Sequence, residues 1–367
     1  MPPLELHFLS LPCLVTGGLI LLFTCSGYLY SELYWTRGLF LTRRALALMA
    51  GVGVLLIGSG FLPVHFAAAG LPLGLAVCIA IVQSARTSIT RPASTPRADE
   101  HNYLFVGDTG TGGRHTRALA DQMARWIDKE GAQAVFLLGD NVLGSTPFSI
   151  AVLDRFFEPF RSVLERQVPF YAILGNHDHS AGRVESELKF KPFHMEGKSY
   201  YQVQADDRVA FFVLDATALR ESREQADWLS IELSKSKCTW NVLLFHEPMV
   251  CGKFHHGPNK KALELLMPIM QTPPGIDLVL SGHNHVYERR RVHEGIQHLT
   301  VGSGGKLSRK GEFHDDSDRV KGLKKRAFLA ATFDSNRIQL HVIDQAGVEL
   351  DSFSLVKCDE GVHALEE

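Results

Sequence analysis

Ile276-Asp277-Leu278-Val279-Leu280-Ser281-Gly282-His283-Asn284-His285-Val286-Tyr287-Glu288-Arg289 is the stretch that decides how the rest of the chain is read. Its apolar, β-branched run ends in Ser-Gly, the pattern of a buried strand running out into a loop, and two imidazoles follow where the strand stops. Residues two apart in extended backbone project to the same side, so His283 and His285 can meet a metal ion in one cleft. A His-x-His pair by itself is more often solvated surface than a ligand set, so its partners carry the argument.

Four other apolar runs end abruptly in a carboxylate, an amide or an imidazole. They are Leu104-Phe105-Val106-Gly107-Asp108, Val135-Phe136-Leu137-Leu138-Gly139-Asp140, Tyr171-Ala172-Ile173-Leu174-Gly175-Asn176-His177-Asp178 and Val242-Leu243-Leu244-Phe245-His246. Three of the four place that residue just after a glycine. Sites of open α/β sheets lie at the carboxyl edge of the strands. Buried strands normally end in turn residues without a shared chemistry, so the repetition points to one site assembled from five loop tips.

Composition divides the chain. It has 367 residues with 38 Lys and Arg against 40 Asp and Glu, a balance that argues against a nucleic-acid binder. His7 to Ser31 and Ala45 to Ala85 carry no Asp, Glu, Lys or Arg. The first run is long enough to cross a ~30 Å hydrocarbon core as one helix, and the second is about twice that length. It is expected to fold as a hairpin broken near Pro63 and His65, giving three spans near 8–30, 45–61 and 66–82. No basic residue precedes the first span, which disfavours a cleaved signal peptide. Arg37, Arg43 and Arg44 lie between the first two spans and Arg86, Arg91 and Arg97 follow the third. The positive-inside rule then puts the following domain on the cytoplasmic face of a bacterial inner or plasma membrane, whereas two crossings would export it. The six cysteines include no metal or redox spacing, a usage more typical of a reducing compartment.

Residues 87–100, with Pro92 and Pro96, read as a linker, and residues 101–358 as one catalytic domain followed by a tail at 359–367. After the strand ending at Gly107 comes a helix near Arg114–Lys129, and after that ending at Gly139 a helix near Leu153–Glu165. Strands are expected near Tyr200–Gln204 and Val209–Asp215, and helices near Arg223–Ser236 and Lys260–Met270. The late runs His298–Val301, Ala327–Phe333, Ile338–Ile343 and Leu350–Val356 read as strands. The fold class is therefore α/β, a layered α/β/β/α sandwich.

Asp108, Asp140, Asn176, His246, His283 and His285 offer hard oxygen and borderline nitrogen donors without thiolate, a set suited to Mn, Fe or Zn rather than to a structural zinc. Six donors exceed one tetrahedral site. Two divalent ions sharing a carboxylate fit better, and ions ~3.5–4 Å apart serve in-line displacement at phosphorus.

In this order the blocks GDTG, GDN, GNHD, LLFH and GHNH resemble those of the calcineurin-like metallophosphoesterase superfamily. The Gly-Asp-x-Gly of the first block and the Gly-His-x-His followed by Tyr-Glu-Arg of the last resemble purple acid phosphatases, over roughly residues 101–305. The resemblance implies that Asp140 bridges two metals, that Asp108 and His285 bind the first, and that Asn176, His246 and His283 bind the second. It also implies that His177, His255 and His256 face the substrate as catalytic groups, with the general acid left open between His255 and His256. Leu143 stands where the purple acid phosphatase pattern has a metal-binding tyrosine, and Gly110 where many superfamily members have a histidine. The expected sites are therefore divalent and colourless.

The leading expectation is a membrane-tethered hydrolase of phosphomonoesters acting by attack of metal-bound hydroxide. The alternatives are a phosphodiesterase or pyrophosphatase on a nucleotide or lipid-linked substrate, and a membrane-anchored binding module without activity. Lys306, Arg309, Lys310, Lys321, Lys324, Lys325 and Arg326 crowd one long segment. They read either as a solvated loop or as a surface for anionic head groups or a polyanionic substrate.

Overall fold

The computed structural model of the chain describes residues 101–367 apart from 205–206, 220–222, 253–255, 309–312, 314–315, 360 and 367. The three expected spans and the linker lie outside the described residues. Among the described residues no helix is long and apolar enough to cross a membrane.

In chain order the strands are β1 (His101–Val106), β2 (Ala134–Leu137), β3 (Phe170–Ala172), β4 (Tyr201–Gln204), β5 (Val209–Leu214), β6 (Trp240–Phe245), β7 (Leu278–Ser281), β8 (Tyr287–Arg290), β9 (Gln297–Val301), β10 (Arg319–Leu323), β11 (Ala327–Phe333), β12 (Arg337–Asp344), β13 (Glu349–Cys358) and β14 (Gly361–Glu366). The helices are α1 (Gly113–Glu130), α2 (Phe148–Val152), α3 (Arg161–Leu164), α4 (Asn176–Ser180), α5 (Val184–Leu188), α6 (Ala216–Leu219), α7 (Glu224–Lys235) and α8 (Lys260–Met270).

The strands form two seven-stranded sheets. One is ordered β14-β13-β12-β11-β1-β2-β3 and the other β10-β8-β9-β7-β6-β5-β4. Within the first, β1, β2 and β3 are parallel, and within the second β5, β6, β7 and β9 are parallel. Their carboxyl ends, where the chemistry-bearing residues stand, therefore gather at one edge of each sheet.

The apolar runs lack alternation because both faces of these strands are covered. On β5, Phe211 turns to the other sheet, with its ring centroid 4.7 Å from that of Tyr103 and 4.6 Å from that of Phe136. Such aromatic pairs add about 0.5–1.5 kcal/mol each beyond the area they bury. Its neighbour Phe212 turns outward, into a cluster with Leu229 and Leu233 of α7 and Leu266 of α8. On α1 the buried residues Leu119, Ala120, Met123, Ala124 and Ile127 recur at helical spacing and form its inward stripe. The arrangement is a mixed α/β sandwich with helices outside two stacked sheets, as the residue pattern predicts.

The long regular elements fall where expected, and α8 has the predicted bounds. The single helix expected near Leu153–Glu165 is instead broken into α2, a π-helical turn at Leu153–Phe157 and α3. Phe156, Phe157 and Phe160 all turn inward there, with Phe156 packed edge-on against Phe170 and Phe193. Satisfying three bulky aromatics on one side displaces the regular hydrogen-bond ladder. Strands β8 and β10 are unforeseen. They are charged segments, and Arg319–Leu323, inside the segment read first as a solvated loop, pairs antiparallel with β8. Strand β14 extends the first sheet into the region expected as a tail, pairing with β13.

Candidate metal centre

Backbone hydrogen bonds stitch the loop tips of the two sheets together. Within the first sheet the Asp108 amide donates to Gly139 O and the Gly110 amide to Asp140 O. Between the sheets the Gly107 amide donates to Val301 O at 2.8 Å, and the His283 amide to Asp108 Oδ2 at 2.8 Å. His246 Nδ1 donates to Leu138 O at 2.6 Å, from the second sheet to the first. Asp108, Asp140 and His283 have φ of 58°, 56° and 66°, left-handed backbone that non-glycine residues adopt rarely. Three candidate ligands share this strained conformation, of the kind that clusters at functional sites.

Two overlapping donor groups result. Asp108, Asp140 and His285 bring one ligand atom each within 4.8 Å of one another, with His285 Nε2 3.3 Å from Asp108 Oδ1. Beside them, Asn176 Oδ1 lies 3.3 Å from His246 Nε2 and 3.0 Å from His283 Nδ1, and His246 Nε2 is 3.5 Å from Asp140 Oδ1. Asp140 faces both groups. All six residues expected as ligands thus converge.

The set fits a pair of cations. The bond from His246 Nδ1 to Leu138 O leaves its Nε2 lone pair aimed at two oxygens, an arrangement that needs positive charge between them. Asp108 Oδ1 is buried with no hydrogen-bond partner. Burial, followed by the neighbouring Asp140, raises the Asp108 carboxyl well above the usual range, with His246 opposing it. Burial works against protonation of His246, yet Asp140 and Asp108 push its pKa up, because a proton there is one way to neutralise the cluster. Burial and the surrounding imidazoles of His246, His256 and His285 depress His283 to about 2, and burial and Lys306 depress His285. Both shifts favour the neutral imidazole, the form that ligates metal.

Around this centre stand groups that sequence reasoning named without a role or missed. Asp178, fully buried, accepts from the backbone amides of Asp140 at 2.9 Å, Gly175 at 2.8 Å and Asn141 at 3.1 Å, and so fixes the loop that carries Asp140. Burial and then Asp140 push its carboxyl up to about 6. The only sequence signal for it was its place inside the Gly-Asn-His-Asp block.

His177 is exposed beside the centre, its amide donating to Asp140 Oδ1 at 3.0 Å. His256 is exposed, with its ring centroid 4.3 Å from that of His283. His255 lies outside the described residues. The loop with His256 is held by Asn284, the residue between the two site histidines, whose Nδ2 donates to His256 O at 3.3 Å. It is held also by Glu288, which accepts from the Gly252 amide at 3.0 Å and from Arg290 at 3.2 Å, and Arg290 in turn pairs with Asp316. Glu288 belonged to the quoted Tyr-Glu-Arg run, but nothing local pointed to Asp316.

Residues 101–287 match the family model of the calcineurin-like phosphoesterases. The chain belongs to that family. It is a phosphoric ester hydrolase. It is 28% identical over 251 residues to tartrate-resistant acid phosphatase type 5 of Rattus norvegicus, covering 59% of this chain and 74% of that protein. It is 27% identical over 237 residues to purple acid phosphatase 4 of Arabidopsis thaliana, covering 57% of this chain and 69% of that protein. Among solved structures its fold is similar to that of purple acid phosphatase PPD1 from yellow lupin, with a TM-score of 0.60 at 19% identity over 71% of this chain and 55% of that one. It is similar also to GAP50, the anchor in the inner membrane complex of Plasmodium, with a TM-score of 0.61 at 16% identity over 73% of this chain and 89% of that one. Enzymes of the family use a dinuclear centre of Fe, Zn or Mn, and the convergent Asp and His donors of this chain form a candidate site for metal.

Proposed function

We propose that the protein is a membrane-tethered phosphatase that hydrolyses phosphomonoesters at a centre of two divalent ions. The observation that carries the reading is the convergence of Asp108, Asp140, Asn176, His246, His283 and His285, with a buried Asp108 oxygen left without a donor. Asp108, Asp140 and His285 would hold one ion, and Asp140, Asn176, His246 and His283 the other. When bound, the pair supplies positive charge for the phosphoryl oxygens and acidifies the attacking water.

The chain's own groups do the rest. Leu138 O fixes the tautomer of His246, and Asp178 fixes the backbone of Asp140, so that neither donor has to reorganise when charge develops. His177 and His256, exposed at the mouth, are placed to hydrogen-bond phosphoryl oxygens. His256, or His255 in the same loop, serves as the acid that protonates the departing alkoxide. Asn284 and Glu288 hold that loop in position.

The uncharged runs His7 to Ser31 and Ala45 to Ala85 support the tether, and the arginines that follow them support a cytoplasmic catalytic domain. Protease protection of the carboxyl-terminal domain in sealed vesicles tests the sidedness, and digestion from the cytoplasmic face is expected. Turnover of p-nitrophenyl phosphate against bis(p-nitrophenyl) phosphate, with added Mn²⁺ or Zn²⁺ and with chelator, tests the chemistry. Faster hydrolysis of the monoester, abolished by chelator, is expected. Preference for the diester would make the protein a phosphodiesterase, and no turnover with any metal would sink the catalytic reading.

A further inference from the structure

The segment after β9 crosses the mouth of the site. The Gly304 amide donates to Gly107 O at 3.0 Å, the Gly305 amide to Asp108 O at 3.1 Å and the Ser308 amide to His285 O at 3.2 Å. The backbone on either side of Lys306 is therefore pinned to two candidate ligands of one ion, and Lys306 is exposed. Among the described residues no carboxylate pairs with it.

Two more cations flank the same loop. An added Cβ at Gly305 would press on Thr111, three residues before Arg114, so the 111–114 turn lies against the Lys306 segment. Arg326 immediately precedes β11, whose register with β1 puts that point at the carboxyl edge beside Asp108. Arg326 and Arg114 are close enough to repel, and Arg326 Nε is buried without a partner. Neither forms an ion pair among the described residues. A site that would hold two divalent ions has no need of three further cations for a single phosphate, and unpaired cations at its rim raise the local concentration of polyanions.

We propose that Lys306, backed by Arg114 and Arg326, binds a second anionic group of the substrate, so that the enzyme prefers phosphate esters carrying a further phosphate. The inference rests on the phosphatase reading above and names the substrate class for that site. The second phosphate can belong to a soluble bisphosphate or to the diester of a phosphorylated lipid headgroup.

The test uses the metal-loaded full chain in nanodiscs. The ratio of kcat/KM for fructose 1,6-bisphosphate to that for fructose 6-phosphate is measured for the native protein and for Lys306→Ala, Lys306→Glu and Lys306→Arg. In parallel, phosphate release is followed from phosphatidylcholine vesicles containing phosphatidylinositol 4-phosphate. The native ratio is expected above one, to fall about fivefold in the alanine variant, further in the glutamate variant, and to be restored by arginine. If only the vesicle reaction responds to these changes, the lipid is the source of the second phosphate. If neither arm responds, the proposal is overturned. Calorimetric titration with methylenebisphosphonate against orthophosphate reads the same preference without turnover. A bisphosphonate preference lost in Lys306→Glu supports the proposal even if the native protein hydrolyses nothing, which would be a failure of the phosphatase reading alone.

Discussion

The position of Asp140 depends on the absence of one methyl group. Gly175 has φ −103° and ψ 169°, extended backbone that any residue adopts, so Gly175→Ala brings no torsional strain. Its Cβ, however, would lie less than 3.0 Å from both the Asp140 amide nitrogen and Asp140 Oδ1, and 3.0 Å from His246 Cε1. Restoring ordinary contact requires the Asp140 loop to retreat by roughly 1 Å. That loop is also held by Asp178, so part of the displacement is resisted, and overpacking of this kind costs about 1–3 kcal/mol of stability. The catalytic loss should be larger, because a ~1 Å misplacement of a reacting group costs on the order of 100-fold. The expected result with p-nitrophenyl phosphate is a kcat lowered by about two orders of magnitude, in a protein still folded by circular dichroism and with its metal content reduced. A variant that keeps two bound ions and native kcat would refute the argument that this contact sets the geometry of the centre.

Three further expectations follow from other parts of the structure. Glu288→Gln keeps an acceptor for the Gly252 amide but removes the charge facing Arg290, so kcat should fall at least ~10-fold with metal content unchanged. An unchanged kcat would show that the loop of His256 needs no such clamp. His298 is buried with Nε2 unpartnered, and burial, with His293 and Arg290 adding to it, depresses its pKa to about 3. The unfolded chain therefore takes up a proton below pH ~6.5 that the folded chain refuses, and stability is lost as pH falls from there toward 3. Between pH 7 and 5 this amounts to about 2 kcal/mol, which urea denaturation should find missing from His298→Gln. Finally, Leu143 offers no phenolate, so iron-loaded protein should show no charge-transfer band in the visible spectrum, and a purple sample would contradict the ligand set.

How legible the protein was in its residues varies by element. Apolar runs buried on both faces and a stripe at helical spacing are local patterns, and β1, α1, β6 and α8 follow them because burial of a segment's own side chains fixes its periodicity. The candidate ligands were visible for the same reason, each standing at the end of such a run. Strands β8 and β10 were not, because their charged residues are stabilised by partners far along the chain. Arg290 reaches Asp316, and Arg289 reaches Asp351 and Glu366.

The sequence by itself determined which groups are candidates to bind metal, that five loop tips carry them and that the chemistry is phosphoester hydrolysis. Only the tertiary structure decided that the carboxyl edges of the two stacked sheets come together through the bonds from His246 to Leu138 and from His283 to Asp108. It alone turned three candidate ligands into left-handed backbone, set Asp178, Asn284 and Glu288 behind them, and drew Lys306 across the mouth. The physical reason is that a residue's chemistry and periodicity are properties of its own neighbourhood in the chain, whereas the partner that satisfies a buried amide or a bent loop is chosen by packing between segments distant in the chain, from 28 residues for Asn284 and His256 to 175 for His283 and Asp108.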